Sequence, residues 1–203
     1  MNITLRLEEE RDYRVVENLT REAFWNIYRP GCDEHFVVHN MRRSPGFIKE
    51  LDYVAELDGY VIGNIVYCKG IVVNEAGVKQ EVIAFGPVSV LPSFQKKGIG
   101  AKLIEHTMAI AKEMGFKAII IFGNPNYYHR FGFENAEKYG IQTSDGQNFD
   151  PFMVKELYPG SLDGITGRYF DDAAYHVNKE EFELYDKEFP VKEKLVTDTQ
   201  IFK

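Results

Sequence analysis

Cysteine is almost absent from the chain: Cys32 and Cys68 are the only two in 203 residues. They form no Cys-x-x-Cys pair, so two reduced thiols are expected rather than a disulfide framework or a thiolate metal site. Long apolar runs are missing as well, and none approaches the roughly 20 residues that a membrane helix needs. The first residues, Met1-Asn2-Ile3-Thr4-Leu5-Arg6, lack a basic-then-apolar signal pattern, which makes the cytoplasm the expected location. Positive charge is not in excess either. A formal net charge of -7 argues against nucleic acid or an anionic membrane as partner, and favours a cationic one such as an amine. Repeats and low-complexity segments are lacking, which removes solenoid and fibrous classes.

What remains is an ordinary globular composition, 44% hydrophobic, 14% aromatic and 27% charged. The length suits one domain, residues 1–203, with residues 134–203 as a C-terminal elaboration of it. Residues 3–7 alternate as a first strand. Val15, Val16, Leu19 and Ala23 recur at helical spacing over residues 12–24, and a less regular helix is expected over 34–43. Two apolar runs, 53–57 and 60–67, flank Asp58-Gly59, the signature of a tight hairpin. A third run at 71–73 faces 82–85, and Gly86-Pro87 predicts a bulge or splay in the strand that continues to Leu91. Residues 98–115 read as the clearest helix, with Ile99, Leu103, Thr107, Ile110 and Met114 as its buried stripe. An almost wholly apolar strand follows at 117–122, completing a right-handed crossover.

The chemistry is most legible where strand gives way to that helix. Gln95-Lys96-Lys97-Gly98-Ile99-Gly100 opens it, and unpaired N–H groups at a helix start bind anions well. Glycine lets backbone and phosphate approach closely. A tight turn with two solvated lysines is the alternative reading of the same residues. Other phosphate motifs fit poorly: no Gly-x-x-x-x-Gly-Lys-Ser/Thr run is present, and Leu103 stands where a dinucleotide fingerprint requires its third glycine.

Val90-Leu91-Pro92-Ser93-Phe94-Gln95-Lys96-Lys97-Gly98-Ile99-Gly100 resembles the acyl-coenzyme A motif of the GNAT superfamily of N-acetyltransferases, loosely Val-x-Pro-x-x-Arg/Gln-x-x-Gly-x-Gly/Ala. Tyr128-His129-Arg130-Phe131-Gly132-Phe133 is similar to the Tyr-x-x-x-Gly-Phe box of the same superfamily. The resemblance covers about residues 3–133 in order of elements. It implies a GNAT-like α/β (α+β) fold, with a central mixed, mostly antiparallel sheet splayed at the cofactor site and flanked by helices. The implied activity is acetyl transfer from acetyl-CoA to a primary amine, by direct attack in a ternary complex and without a metal. Val88, Ser89 and Val90 would pair with the pantetheine arm through their backbone, and an N–H near Val88 or Ser89 would polarise the thioester carbonyl. Amides of Gln95, Lys96, Lys97, Gly98, Ile99 and Gly100 would hold the pyrophosphate. Tyr128 would hydrogen-bond the departing sulfur, with Tyr127 as its rival. Asn124 is the asparagine taken as meeting the cofactor; Asn126 stands close by in the same compact Gly123-Asn124-Pro125-Asn126-Tyr127 stretch.

An alkylammonium must lose a proton before it attacks. Glu81 is the first candidate for the base, because related enzymes place a carboxylate on the strand entering the motif, and His129 is the second. His35 and His39 lie one helical turn apart, but no third ligand accompanies them. Phe24, Trp25, Tyr28, Asp33 and Glu34 are expected to wall the acceptor pocket, an aromatic and acidic lining suited to a cationic amine, with residues 149–175 helping to shape it. The acceptor, a small molecule or a peptide, stays open. Strand edges and the aromatic C-terminal stretch permit a homodimer, and a noncatalytic acyl-CoA-binding or sensor module is the alternative reading.

Overall fold

The computed structural model of the chain describes residues 2–198 and residue 200; of the expected domain 1–203, Met1, Thr199 and residues 201–203 lie outside the described residues. The elements run β1 (Thr4–Leu7), α1 (Tyr13–Phe24), α2 (Glu34–Met41), β2 (Tyr53–Leu57), β3 (Tyr60–Val73), β4 (Lys79–Val90), α3 (Ile99–Glu113), β5 (Ala118–Phe122), α4 (Pro125–Tyr128), β6 (Glu134–Asn135), β7 (Ile141–Gln142), β8 (Phe152–Glu156), β9 (Gly167–Phe170) and α5 (Lys179–Asp186). The expected short run at 71–73 is the end of the long β3, not a separate strand.

The strands form one sheet in the order β1-β2-β3-β4-β5-β8-β6, with β9 pairing both β3 and β7. Only β4–β5 and β7–β9 are parallel. The hairpin turn is Asp58-Gly59, with Asp58 at φ 53° and Gly59 at φ 82°, the left-handed pair that a two-residue connection needs. Opposite β3, the register slips so that Ile65 faces Val88 while Tyr67 faces Phe85. Two β4 residues, Gly86 and Pro87, therefore oppose one β3 residue, Val66. Gly86 takes φ 137°, a conformation that side chains disfavour, and Pro87 brings no N–H to the ladder.

The two faces of the sheet bury different helices. On one, Tyr67, Ile83, Phe85, Ile119 and Ile121 pack with Ile99, Leu103 and Ile104 of α3 and with Phe133. On the other, Val54, Val66 and Cys68 pack beneath Val16 and Leu19 of α1 and Val38 and Met41 of α2. The stripe that α3 buries is Ile99, Leu103, Ile104, Thr107 and Ala111, whereas Ile110 is half-buried and Met114 exposed. The buried face departs from the expected one after Thr107, whose hydroxyl lies 2.8 Å from the fully buried Tyr67 phenol oxygen.

α5 closes the outer side of α1 and α2. Phe36, Tyr185 and Phe189 form a small cluster there, and Asp186 accepts from Arg21 Nε at 2.8 Å and contacts His35 Nε2 at 3.1 Å. The chain after α5 folds back over the loop between α1 and α2: Trp25 Nε1 donates to the Glu193 carbonyl at 2.9 Å, and Lys192 pairs with Glu22 at 2.8 Å.

Candidate active site

β4 and β5 are hydrogen-bonded neighbours only at Ile83–Ile119 and Ala84–Ile120. Beyond Ala84 the bulge at Gly86-Pro87 turns β4 away, while β5 continues in register with β8 through Ile121 and Phe122. A notch opens between two strands that were adjacent, and the backbone groups along its walls lack ladder partners. The expected splay is therefore present, and its cause is the bulge.

Two lobes lead from this notch. The first, about 430 Å³, is lined by Val88, Val90, Gln95, Lys96, Gly98, Ile99, Gly100, Tyr127 and Tyr128 among others. Its floor is the turn into α3, where Lys96 stands at φ 59° and Gly98 at φ 83°. Left-handed residues in such a turn aim successive amides to one side. The first bond into α3 runs from the Lys102 N–H to Gly98 O at 3.0 Å, so the amides of residues 96–101 are left for a ligand. A Cβ on Gly100 would stand 3.2 Å from the Tyr127 hydroxyl, so a side chain there would crowd the lobe. Two side chains of the motif turn away from the lobe. The Ser89 hydroxyl is buried beneath α1, 2.9 Å from Thr20 Oγ1, leaving only its backbone to the notch. The Lys97 ammonium turns back to Ser93 O at 2.9 Å, so its charge sits behind the turn.

The second lobe, about 740 Å³, runs under α1 and α2 and ends at β9. Phe24, Tyr28, Asp33 and Glu34 line it as expected, and Val37, Tyr169, Asp171 and Tyr175 join them. Trp25 does not: its indole faces the C-terminal stretch and takes Arg21 over its ring at 4.2 Å. Tyr169, Asp171 and Tyr175 fall within the span expected to shape the pocket, yet only the β3–β9 pairing brings them there. Asn124 lines the lobe and caps α4, its Oδ1 accepting the Asn126 N–H at 3.0 Å.

Tyr127, Tyr128, Val88, Phe24 and Tyr28 border both lobes. The Tyr128 ring lies across Gly123, where a Cβ would come within 2.5 Å of the ring, and it packs on Phe85 and Phe133. Burial pushes its phenol well above the usual range, with smaller contributions from Tyr127 and Tyr28, so it stays a protonated hydrogen-bond donor at any working pH. Tyr127 is turned to the start of α3, its hydroxyl beside Gly100 and its ring beneath the Arg130 guanidinium at 3.9 Å.

The structure does not bring Glu81 to this place. It pairs with Lys69 at 3.0 Å on the exposed end of β4. Seven residues of strand separate it from Val88, roughly 20 Å at the rise of an extended chain. His129 is also turned away, its Nδ1 2.9 Å from Phe133 O. Glu34 is the carboxyl that does change character here. Burial, helped by Asp33 and opposed by Arg29 and local backbone N–H groups, pushes it up to about 7.

His35 and His39 have separate partners, Asp186 and Glu17, and among the described residues no group of three or more metal-ligating side chains forms. Cys32, His35 and Asp186 stand in line, with Sγ 3.7 Å from Nδ1 and Nε2 3.1 Å from the carboxylate. Burial makes this arrangement inert, because it pushes the thiol up and the imidazole down to about 4, opposite to what a nucleophile and its base require. No helix among the described residues is long and apolar enough to cross a membrane.

Residues 49–135 match the family model described as the Acetyltransferase (GNAT) domain. Over 163 residues the chain is 25% identical to the uncharacterized N-acetyltransferase YhbS of Escherichia coli (strain K12), which covers 80% of this chain and 92% of that one. The crystal structure of YhbS in complex with CoA matches with a TM-score of 0.75, covering 86% of this chain and 92% of that chain. A GNAT family acetyltransferase from Brucella melitensis, solved in complex with acetyl-CoA, is 28% identical with a TM-score of 0.68, covering 86% and 98%.

Proposed function

We propose that the chain is an acyltransferase of the GNAT family, to which the matches above point, and that it transfers the acetyl group of acetyl-CoA to a primary amine by direct attack in a ternary complex. The observation that carries this reading is the pair of lobes meeting at Tyr128. An acyl donor and an acceptor can each occupy a lobe of their own and meet at one carbonyl, which replaces a bimolecular encounter with a held geometry.

The residues present fit coenzyme A. The free amides of the turn at Lys96, Lys97, Gly98, Ile99 and Gly100, reinforced by the dipole of the 15-residue α3, would hold the pyrophosphate; the Gln95 N–H is already bonded to the Pro92 carbonyl at 3.3 Å, so of the expected set it is the one amide that is engaged. The backbone of Val88, Ser89 and Val90 would pair with the pantetheine arm as a strand edge does, with Asn124 beside it. An amide near Val88 would polarise the thioester carbonyl, where charge develops in the transition state. The Tyr128 hydroxyl would donate a hydrogen bond to the departing sulfur. A phenol raised this far does not surrender its proton to a thiol-range anion, so its role is to stabilise charge. The aromatic and acidic walls of the second lobe favour an acceptor with a cationic head.

A thermal-shift titration with acetyl-CoA, coenzyme A, ATP and NAD tests the donor assignment in wild type and Gly100→Val. Coenzyme A species should raise the wild-type midpoint, by the equivalent of about 2.7 kcal/mol at a hundredfold excess over Kd. The folded Gly100→Val variant should lose that shift. Stabilisation by ATP or NAD alone would refute the assignment.

A further inference from the structure

Transfer to an amine needs a group that removes the ammonium proton, and neither Glu81 nor His129 faces the cleft. We propose that Glu34, in the first turn of α2, is the general base that takes this proton from the acceptor; the inference rests on the transferase reading above. Glu34 lines the acceptor lobe. Tyr28 and Tyr128 border both lobes whereas Glu34 lines only the acceptor lobe, so the carboxylate stands on the acceptor side of the junction.

The other carboxylates of the lobe are engaged. Asp33 holds Arg29 at 2.7 Å and Asp171 contacts His176 at 2.9 Å. Glu34 forms no ion pair among the described residues; its Oε2 accepts the Asp33 N–H at 3.1 Å, and its own backbone N–H also acts on the carboxyl. The groups that face it are Tyr28, Arg29, Cys32 and Asp33 on its own side, with Asp171 and Tyr128 across the lobe. Of these, Asp33 raises its proton affinity and Arg29 lowers it, both less than burial does. A carboxyl poised near 7 is divided between its forms at neutral pH, so it can accept a proton and return it.

The steps balance. The ammonium gives one proton to the Glu34 carboxylate, and the freed lone pair forms the N–C bond to the acetyl carbonyl. Collapse breaks the C–S bond with its electron pair left on sulfur. The surplus proton on nitrogen ends on that sulfur, giving an amide and a thiol, and Glu34 releases its proton to water.

The test compares wild type with Glu34→Gln, following thiol release from acetyl-CoA with 2-phenylethylamine, 1,4-diaminobutane and hydroxylamine as acceptors. Glu34→Gln should keep the acetyl-CoA thermal shift, which shows an intact donor lobe. At about pH 7 its kcat/KM for the alkylamines should fall on the order of 10²-fold. The wild-type inflection near neutrality should vanish, the two enzymes converging as the amine itself deprotonates towards about pH 10. Hydroxylamine, already unprotonated at neutral pH, should be acetylated at nearly the wild-type rate. Independently of any acceptor, the variant's melting point should exceed that of wild type by more at about pH 8 than at about pH 5, because it removes a half-buried carboxylate that is ionised only at the higher pH. Alkylamine turnover that is insensitive to Glu34→Gln would overturn the inference alone, as would a melting difference independent of pH. No turnover of either alkylamine by the wild type would overturn the transferase reading together with it.

Discussion

Tyr128 shows how much one side chain's surroundings decide. Its ring is fixed on three sides, by Phe85, Phe133 and the missing Cβ of Gly123, and burial holds its proton on. Removing the hydroxyl leaves the packing intact and, on the proposed mechanism, withdraws one donor from the leaving group. Tyr128→Phe is expected to lower kcat on the order of 10²-fold with an unchanged acetyl-CoA thermal shift. Steady-state kinetics with any accepted amine checks this; a change in affinity for acetyl-CoA without a change in kcat would place the tyrosine in binding alone. Gly123→Ala tests the same geometry from beneath, since the new methyl displaces the ring and should reproduce the kinetic loss while the hydroxyl remains.

Among the elements, α1 and α2 carry the acceptor side, and their outer support is α5. Arg21 is buried to 3% exposure and relies on Asp186, itself 17% exposed. Asp186→Ala would leave that guanidinium without its carboxylate, retaining only the Pro190 carbonyl at 3.1 Å. The expected loss is about 3 kcal/mol in urea denaturation, the usual consequence of leaving one partner of a buried pair behind. A loss below about 1 kcal/mol would mean that water or a neighbour takes over the arginine. The Cys32–His35 pair beside it should stay unreactive towards alkylating agents in the native state, because α5 and the C-terminal stretch keep it buried.

Across the molecule, the strongest electrostatic feature lies away from the cleft. Arg42, on the underside of α2, bonds Glu8 at 2.6 and 3.0 Å and Glu17 at 3.1 Å, and Glu8 faces Asp52, which accepts from Asn64 at 3.1 Å. Burial raises both Glu8 and Asp52; Asp52 raises Glu8 further, while the hydrogen bond with Glu8 eases the rise at Asp52, so the two titrate as a unit that keeps a proton above the ordinary carboxylate range. Raised groups of this kind favour the folded state below their unfolded pKa, and the benefit is lost as pH climbs through the folded value. Asp12, lowered chiefly by its bond from Arg6, and Glu17, lowered by His39 and Tyr185 against its burial, act the opposite way and lose their contribution in acid. Stability measured by denaturant should therefore fall on both sides of a maximum, and Glu8→Gln should flatten the alkaline limb. An alkaline limb unchanged in that variant would assign the pH dependence to other groups.

The amino-acid sequence by itself determined the elements whose cause is local. Periodicity placed α1 and the hairpin, and Asp58-Gly59 set its turn. Gly86-Pro87 marked the splay, and the Gln95–Gly100 run marked the left-handed turn into α3, because backbone conformation there depends on the residues in it. The Tyr128 box was legible for the same reason. Side chains whose role depends on distant partners were not. Glu81 belongs to the right strand, but its distance along that strand puts it beside Lys69, outside the cleft. Ser89 and Lys97 lie in the motif while their side chains answer to Thr20 and Ser93. Glu34 acquires its character from burial between α1, α2 and the notch, and Asp171 enters only through β9 pairing with β3. Desolvation and cross-strand proximity are properties of the folded chain, so the tertiary structure alone decided which carboxylates line the cleft.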